Sequence, residues 1–165
     1  MTVETSVFFV DVQPRARLAI EDVLYRFGAG QDLKDRALFR SAFASDSELD
    51  FVQPAARLGV EFPVFKGGDS ITDQIMAATA ELDTTHSVSN SRITAFAGAR
   101  ASLFAIVEAQ HLKRADHSRH LLLKNFYFVD LVRQDQAWVA ARMRIENVWR
   151  TGDPEILFPG ADPPA

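Results

Sequence analysis

Residues 101–112, ASLFAIVEAQHL, establish the fold class, because two kinds of side chain alternate along them with a period of two. One face of the resulting strand carries small and apolar residues and ends in a histidine: Ala101, Leu103, Ala105, Val107, Ala109 and His111. The opposite face carries Phe104, Ile106, Glu108 and Gln110. Such alternation is typical of a β-strand that packs one face against a core. The sequence therefore predicts a long strand whose core-facing side ends at His111.

The segments before and after this strand also have the patterns of β-strands. Further strands are predicted over residues 84–93, 120–132 and 138–149, with turns at 97–99, 113–119 and 134–136. Strands that follow one another through short turns form an antiparallel meander. The second half of the chain is therefore predicted to form one sheet.

The first half is predicted to be mainly helical. Helices are expected over residues 16–29, over residues 33–43 and from Gly67 onward, with Asp69 or Ser70 as the N-cap of the third. Gly28 and Gly30 are expected to weaken the end of the first helix. Strand-like runs at 48–52 and 62–65 predict a hairpin between the second and third helices. Three helices followed by a meander predict an α+β fold, with the helices packed on a curved, mostly antiparallel sheet.

Length and composition limit the possible functions. The 165 residues suit one domain, predicted over residues 15–150, with a leader at 1–14 and an extended or mobile tail at 151–165. A net charge of −4 argues against a nucleic-acid partner, which needs a basic face. The absence of cysteine excludes a thiol nucleophile, and no apolar stretch reaches the roughly 20 residues of a membrane span. We expect a soluble, cytoplasmic protein.

Three residues are candidates for catalysis: Asp32, His86 and His111. His111 shares a strand face with small apolar residues and would lie in a pocket if that face is concave; otherwise it is an edge histidine bound to a backbone carbonyl. His86 lies where the third helix passes into a strand, and it could point into the sheet or into solvent. Asp32 follows the first helix and could equally be the N-cap of the second.

Histidines also suggest a metal site, because His111, His117 and His120 have the spacing H-x5-H-x2-H. However, His117 lies in a predicted turn and His120 begins another strand. No carboxylate is obviously placed to complete a ligand set. We therefore predict no metal site.

The order of these elements, and the residues at their junctions, resemble a known family. The residues that carry the resemblance are Gly30–Asp35, Ser47–Phe51, Thr84–His86, Val107–His111 and Gln136–Trp138. Together they resemble the SnoaL-like branch of the NTF2-like (cystatin-like) superfamily, and within it the chain is similar to the scytalone dehydratases. The resemblance extends over about residues 15–150.

The resemblance implies a cone-shaped α+β barrel whose helices close one end of a pocket. It implies that Asp32 binds His111 while His86 faces the ligand. Further ligand contacts are implied for five residues: Tyr25, Phe51, Asn125, Tyr127 and Met143. Two tyrosines that hold a water in the scytalone dehydratases are replaced here by Gln31 and Phe51, and Tyr127 could supply a phenol instead.

The implied activity is that of a lyase or isomerase, of dehydratase or cyclase type, without a metal or organic cofactor. An imidazole beside a carboxylate can remove a proton next to a carbonyl and return it to a leaving hydroxyl. The implied partner is a small hydrophobic cyclic or aromatic molecule. A dimer or trimer is also expected, with Phe104, Ile106 and Glu108 as contact candidates.

Two alternatives remain at this stage. The chain could be a non-catalytic subunit, like the β subunit of ring-hydroxylating dioxygenases, or a protein that binds a small molecule without converting it. The first would have a vestigial pocket and a larger partner. The second would hold a ligand without forming product.

Overall fold

The computed structural model describes residues 10–160, and this part of the chain contains four α-helices, six strands and one 3-10 helix. In chain order they are α1 (Pro14–Asp32), α2 (Arg36–Arg40), β1 (Phe43–Asp50), α3 (Val52–Arg57), β2 (Phe65–Lys66), α4 (Gly68–Ala78), β3 (Leu82–Ala97), β4 (Arg100–Lys113), β5 (Asp116–Gln134), β6 (Ala137–Gly152) and the 3-10 helix (Pro154–Ile156). The predicted α+β class is confirmed. Within residues 10–160, no helix combines the length and the apolar content needed to cross a bilayer.

All six strands join one curved sheet in the order β2-β1-β6-β5-β4-β3. Strands β3 to β6 form the predicted antiparallel meander, whereas β1 pairs with β6 in parallel. The sheet is open rather than closed into a barrel, with β2 and β3 at its edges. Register shifts interrupt the pairings of β3 with β4 and of β5 with β6, and such bulges bend a sheet.

The alternation in residues 101–112 is confirmed. The face that begins at Ala101 and ends at His111 is buried, and the intervening residues are partly exposed. Cross-strand register extends this inner face to neighbouring strands, because Ala105 pairs with Tyr127 and Ala109 pairs with His86. Since alanine fills little space, the inner face is hollow at these positions.

Helix α1 is longer than predicted and covers this face, with Ile20, Val23, Leu24 and Phe27 buried. Its two glycines do not end it. A Cβ on Gly28 would lie 2.9 Å from the Cβ of His86, and one on Gly30 would lie 2.5 Å from the Cα of Phe39. These glycines are therefore sites of close approach, at which the helix packs directly on its neighbours.

The segment between β1 and β2 differs from the prediction. The two strands do pair, but helix α3 lies between them in the chain and contains Pro54. Proline is tolerated in the first turn of a helix, where its missing N–H has no partner to lose. Helix α2 is only five residues long, and the N-cap of α4 is Gly67, not Asp69 or Ser70.

The predicted extended tail is wrong for the residues after β6. The 3-10 helix follows at once, and the side chain of Asp153 accepts a hydrogen bond from the backbone of Glu155. Phe158 is 7% exposed and its ring stacks on Phe51, with centroids 5.6 Å apart. Apolar burial therefore holds this segment against the domain. Residues 1–9 of the predicted leader and 161–165 of the tail lie outside the described part.

Candidate active site

The end of α1 places Asp32 directly over β3. Its carboxylate accepts three hydrogen bonds from that strand: from the Thr84 hydroxyl at 2.9 Å, the His86 backbone N–H at 2.8 Å, and His86 Nδ1 at 2.7 Å. The side chain of His86 is only 3% exposed. This arrangement corrects the expectation that Asp32 binds His111, and it also shows that Asp32 is not the N-cap of α2, a position taken by Asp35.

The contacts determine the protonation of the pair. Burial alone would raise the pKa of Asp32, but the hydrogen bonds and charge of His86, with the Thr84 hydroxyl, together hold that pKa below its ordinary value. An ionised carboxylate only accepts hydrogen bonds, so Nδ1 of His86 carries the proton. In the neutral ring, Nε2 is then unprotonated and can act as a base.

His111 lies on the adjacent strand, with its ring centroid 6.0 Å from that of His86 and the rings nearly perpendicular. Register explains the approach: His111 pairs with Thr84, one inward-facing position from His86. His111 is 4% exposed, and its Nδ1 lies 3.4 Å from the backbone carbonyl of Leu121. Burial, followed by the charge of His86, lowers the pKa of His111 to about 3. His111 is therefore a neutral imidazole at physiological pH.

This shift predicts an acid-sensitive fold. The ordinary histidine pKa is 6.5, so between pH 6.5 and about 3 the unfolded chain takes up a proton that folded His111 does not. Stability therefore falls as the pH falls through this window, by at most about 1.4 kcal/mol per pH unit. We expect His111→Gln to remove this part of the slope in thermal unfolding between pH 4 and 6.5. An unchanged slope in the variant would show that His111 is protonated in the folded protein.

Both histidines open into an apolar cavity of about 80 Å³ between α1, α4 and the sheet. Apolar residues from across the chain line it: Phe27, Leu49, Phe51, Phe62, Phe65, Ile75, Ala78, Ala109, Leu123, Ile145, Leu157 and Phe158. The polar lining residues are Gln31, Thr79, His86, His111, Asn125 and Tyr127. A mostly apolar cavity with a few convergent polar groups is the usual form of a small-molecule site.

Some lining residues were missed from the sequence. Phe62, Phe65, Leu157 and Phe158 come from short or irregular segments with no periodic pattern, so only their tertiary packing brings them to the cavity. The sequence indicates an aromatic lining only through its composition, which includes 13 phenylalanines in 165 residues.

Of the five predicted ligand contacts, three line the cavity and two do not. Phe51, Asn125 and Tyr127 line it. Tyr25 is 47% exposed, because it lies on the side of α1 that faces away from the sheet. Met143 is fully buried in the core beside Leu49, its partner across β1 and β6. The predicted ligand contacts of Tyr25 and Met143 in this cavity are therefore corrected.

The three histidines of the H-x5-H-x2-H pattern contact different groups. His117 is exposed and its Nε2 lies 2.9 Å from a carboxylate oxygen of Asp83, while His120 Nδ1 lies near the Ser118 carbonyl. Only His111 belongs to the cavity.

Comparison with known proteins agrees with this architecture. The sequence matches the SnoaL-like domain over residues 13–144. It is 29% identical over 143 residues to the terrestric acid biosynthesis cluster protein E of Penicillium crustosum, covering 83% of this chain and 86% of that one. Two solved structures have the same fold. A candidate scytalone dehydratase from Novosphingobium aromaticivorans has a TM-score of 0.72 at 18% identity, covering 84% of this chain and 88% of its own. A type 2 hexachlorocyclohexane dehydrochlorinase (LinA) has a TM-score of 0.70 at 19% identity, covering 88% and 95%.

The family match covers most of the chain, from the start of α1 to the middle of β6, and it includes Asp32, His86 and His111. The chain therefore belongs to the SnoaL-like domain family and has its cystatin-like (NTF2-like) α+β fold.

Proposed function

We propose that this protein is a cofactor-independent lyase or isomerase, of dehydratase or cyclase type, that acts on a small hydrophobic cyclic or aromatic molecule. The observation that carries the proposal is the Asp32–His86 pair, joined at 2.7 Å, in which His86 lines an apolar cavity. A family relative encoded in a biosynthetic cluster, and structural neighbours described as a dehydratase and a dehydrochlorinase, support the same class of reaction.

The chemistry follows from the protonation states. His86 Nε2 removes a proton from a carbon of the bound molecule, and Asp32 stabilises the imidazolium that forms. In an elimination, the electron pair of the broken C–H bond forms a C=C bond as hydroxide departs, and that hydroxide takes the proton from His86 to leave as water. In an isomerisation, His86 returns the proton to another carbon. Neutral His111 adds no positive charge that would oppose protonation of His86.

The arrangement of the pair favours catalysis over the two alternatives. Pure binding of an apolar ligand gives no reason to bury a carboxylate–imidazole pair, since burying charge is costly unless it is compensated. Here three hydrogen bonds compensate Asp32, and all of them also orient His86 or the strand that carries it. A vestigial pocket would have no requirement for that geometry.

Proton removal can be measured without knowing the natural substrate. Indan-2-one is a small aromatic ketone with acidic C–H groups, and its exchange of hydrogen for deuterium in D₂O is followed by NMR. We expect the protein to accelerate this exchange above the buffer rate in proportion to its concentration. If exchange stays at the buffer rate for indan-2-one and for a series of related cyclic ketones, the proposed proton abstraction is wrong.

We also propose that the outer face of the sheet binds a second copy of the chain. Phe104 lies there with its ring centroid 5.5 Å from those of both Phe126 and Phe128, and the guanidinium of Arg144 lies 4.2 Å from the centroid of Phe128. Clustered aromatic rings on an outer face are typical of an interface.

Charged side chains flank this cluster in pairs of opposite sign. Strand register places Glu108 beside Lys124 at one end, with their side chains 2.7 Å apart, and Arg142 beside Asp130 at the other. Because each end carries both charges, the aromatic rings are the part of this face that a two-fold axis would bring together. We expect a dimer in sedimentation velocity at micromolar concentration, shifted toward monomer by Phe104→Glu and unchanged by Tyr25→Glu. A wild-type protein that sediments only as monomer would exclude this interface.

A further inference from the structure

A second buried polar group, on β5 and β6, forms part of the cavity wall and the layer behind it. It consists of Asn125, Tyr127 and Asn147, which are 1%, 3% and 4% exposed. Asn125 and Tyr127 line the cavity, and Asn147 lies behind them as the strand partner of Asn125. Buried polar groups carry a cost unless they are bonded, so the direction of each hydrogen bond here is informative.

Asn147 has a fixed orientation, because its Nδ2 points at two backbone carbonyls. Those carbonyls belong to Trp149, at 3.0 Å, and to Lys124, at 3.3 Å. A carbonyl can only accept, so the group that faces them must be the NH₂ of the amide. The same NH₂ donates to Oδ1 of Asn125 at 2.9 Å.

A β-bulge in β6 accounts for the hydrogen bonds of Asn147 to these backbone carbonyls. Lys124 pairs with Trp149 and Asn125 pairs with Asn147, so Val148 is an extra residue in β6 and local carbonyls need other donors. Helix α3 holds the bulge from outside. The Gln53 side chain accepts from the Asn147 backbone N–H at 2.8 Å, and Arg57 donates to the Asn147 carbonyl at 2.5 Å.

The orientation of the Asn125 amide in turn determines the role of the Tyr127 hydroxyl. Because Oδ1 of Asn125 is occupied by Asn147, its NH₂ is left to face Tyr127, two residues further along the same inner face of β5. An amide NH₂ can only donate, so the Tyr127 hydroxyl can meet it only through its oxygen, which leaves the hydroxyl hydrogen free. Within residues 10–160, no acceptor is found for this hydrogen. Burial also raises the pKa of Tyr127 well above its ordinary value, so the phenol stays protonated.

We infer that Tyr127 is a specificity-determining hydrogen-bond donor, aimed into the cavity by Asn147 through Asn125, and that the ligand presents an acceptor oxygen to it, as a carbonyl does. The inference rests on the proposed function only in taking this cavity as the ligand site. Asn125 and Asn147 are positioning residues. Donation to a carbonyl would also stabilise the negative charge that develops on oxygen when His86 removes an adjacent proton.

The test compares two ligands that differ only at the oxygen, indan-2-one and its hydrocarbon analogue indane. We expect wild-type protein to bind the ketone several-fold to tenfold more tightly by isothermal titration calorimetry. In Tyr127→Phe the two dissociation constants should become equal, because the ring is kept and only the donor is lost. The exposed Tyr25→Phe is the matched control and should keep the wild-type ratio.

The positioning role of Asn125 is tested by the ratio of the two dissociation constants, which loosened packing would not change. In Asn125→Leu, a general loosening weakens both ligands and leaves their ratio alone, whereas loss of orientation lowers the ratio. The infrared C=O stretch of carbonyl-labelled indan-2-one gives a second measure. We expect it at lower frequency in wild type than in Tyr127→Phe, with Asn125→Leu between them.

Equal binding of ketone and hydrocarbon by the wild-type protein would overturn the inference, even if Tyr127→Phe did not fold. An unshifted C=O stretch, or a ketone preference that persists in Tyr127→Phe, would do the same. These measurements need no turnover, so ketone selectivity without isotope exchange would contradict the proposed reaction and leave the role of Tyr127 intact.

Discussion

Asp32→Asn should reduce the exchange of indan-2-one by a factor on the order of 10² to 10⁴, the usual contribution of a positioned acid–base group. Oδ1 of Asp32 faces the Thr84 hydroxyl and His86 Nδ1, whereas Oδ2 faces the His86 backbone N–H, which can only donate. The NH₂ of an asparagine will therefore take the Oδ1 position. It then donates to Nδ1 of His86, which moves the ring proton to Nε2 and removes the base from the cavity.

His86→Ala should lose the same activity, because it removes the base itself. The matched control is His117→Ala, which deletes an exposed histidine bound to Asp83 and should leave exchange unchanged. Circular dichroism of all three variants checks that the fold is retained. Wild-type exchange rates in both Asp32→Asn and His86→Ala would assign the proton transfer to another group.

Gly30→Ala should be strongly destabilising, although alanine is the better helix former. Its Cβ would lie 2.5 Å from the Cα and 2.6 Å from the Cβ of Phe39, which is fully buried. The Phe39 backbone cannot rotate away as a long side chain could. The helices α1 and α2 must separate, which opens the contact between Phe27 and Phe39, now 5.2 Å between ring centroids. We expect a loss of more than about 2 kcal/mol in the free energy of unfolding, measured by urea titration.

Gly98→Ala provides the comparison. Gly98 lies in the turn between β3 and β4, where an added Cβ meets nothing within 4 Å, but its φ of +61° disfavours alanine. That strain costs about 1 kcal/mol. The Gly30 variant should therefore be the less stable of the two. A Gly30→Ala protein at least as stable as Gly98→Ala would mean that the two helices do not approach each other as described.

The pairing of the three catalytic candidates could not be obtained from the sequence. Asp32, His86 and His111 were each identified; the two histidines line one cavity, and Asp32 binds His86. The partner that the resemblance implied for Asp32, His111, was wrong, because the position of this carboxylate depends on where α1 ends. The two glycines seemed to shorten that helix by about one turn, which would have moved Asp32 away from β3.

Tyr25 and Met143 show a second limit of the sequence, which does not locate the boundary of the cavity. Tyr25 is next to the buried Leu24, and Met143 is two residues from Ile145, which lines the cavity. Their place along a helix or strand does not say where the hollow part of the core begins and ends. That boundary depends on which facing residues are small, such as Ala105 and Ala109, and these come from a different strand.

The sequence by itself determined the strands of the meander, the inward face of β4 and the α+β class, because these follow from local periodicity and turn residues. Tertiary structure alone decided which imidazole meets the carboxylate, that the ring of Phe158 stacks on Phe51, and that the side chain of Asn147 bonds that of Asn125. Each of those contacts joins residues tens of positions apart. Their geometry depends on helix length, bulge position and the approach distances that glycine permits, none of which has a period that can be read along the chain.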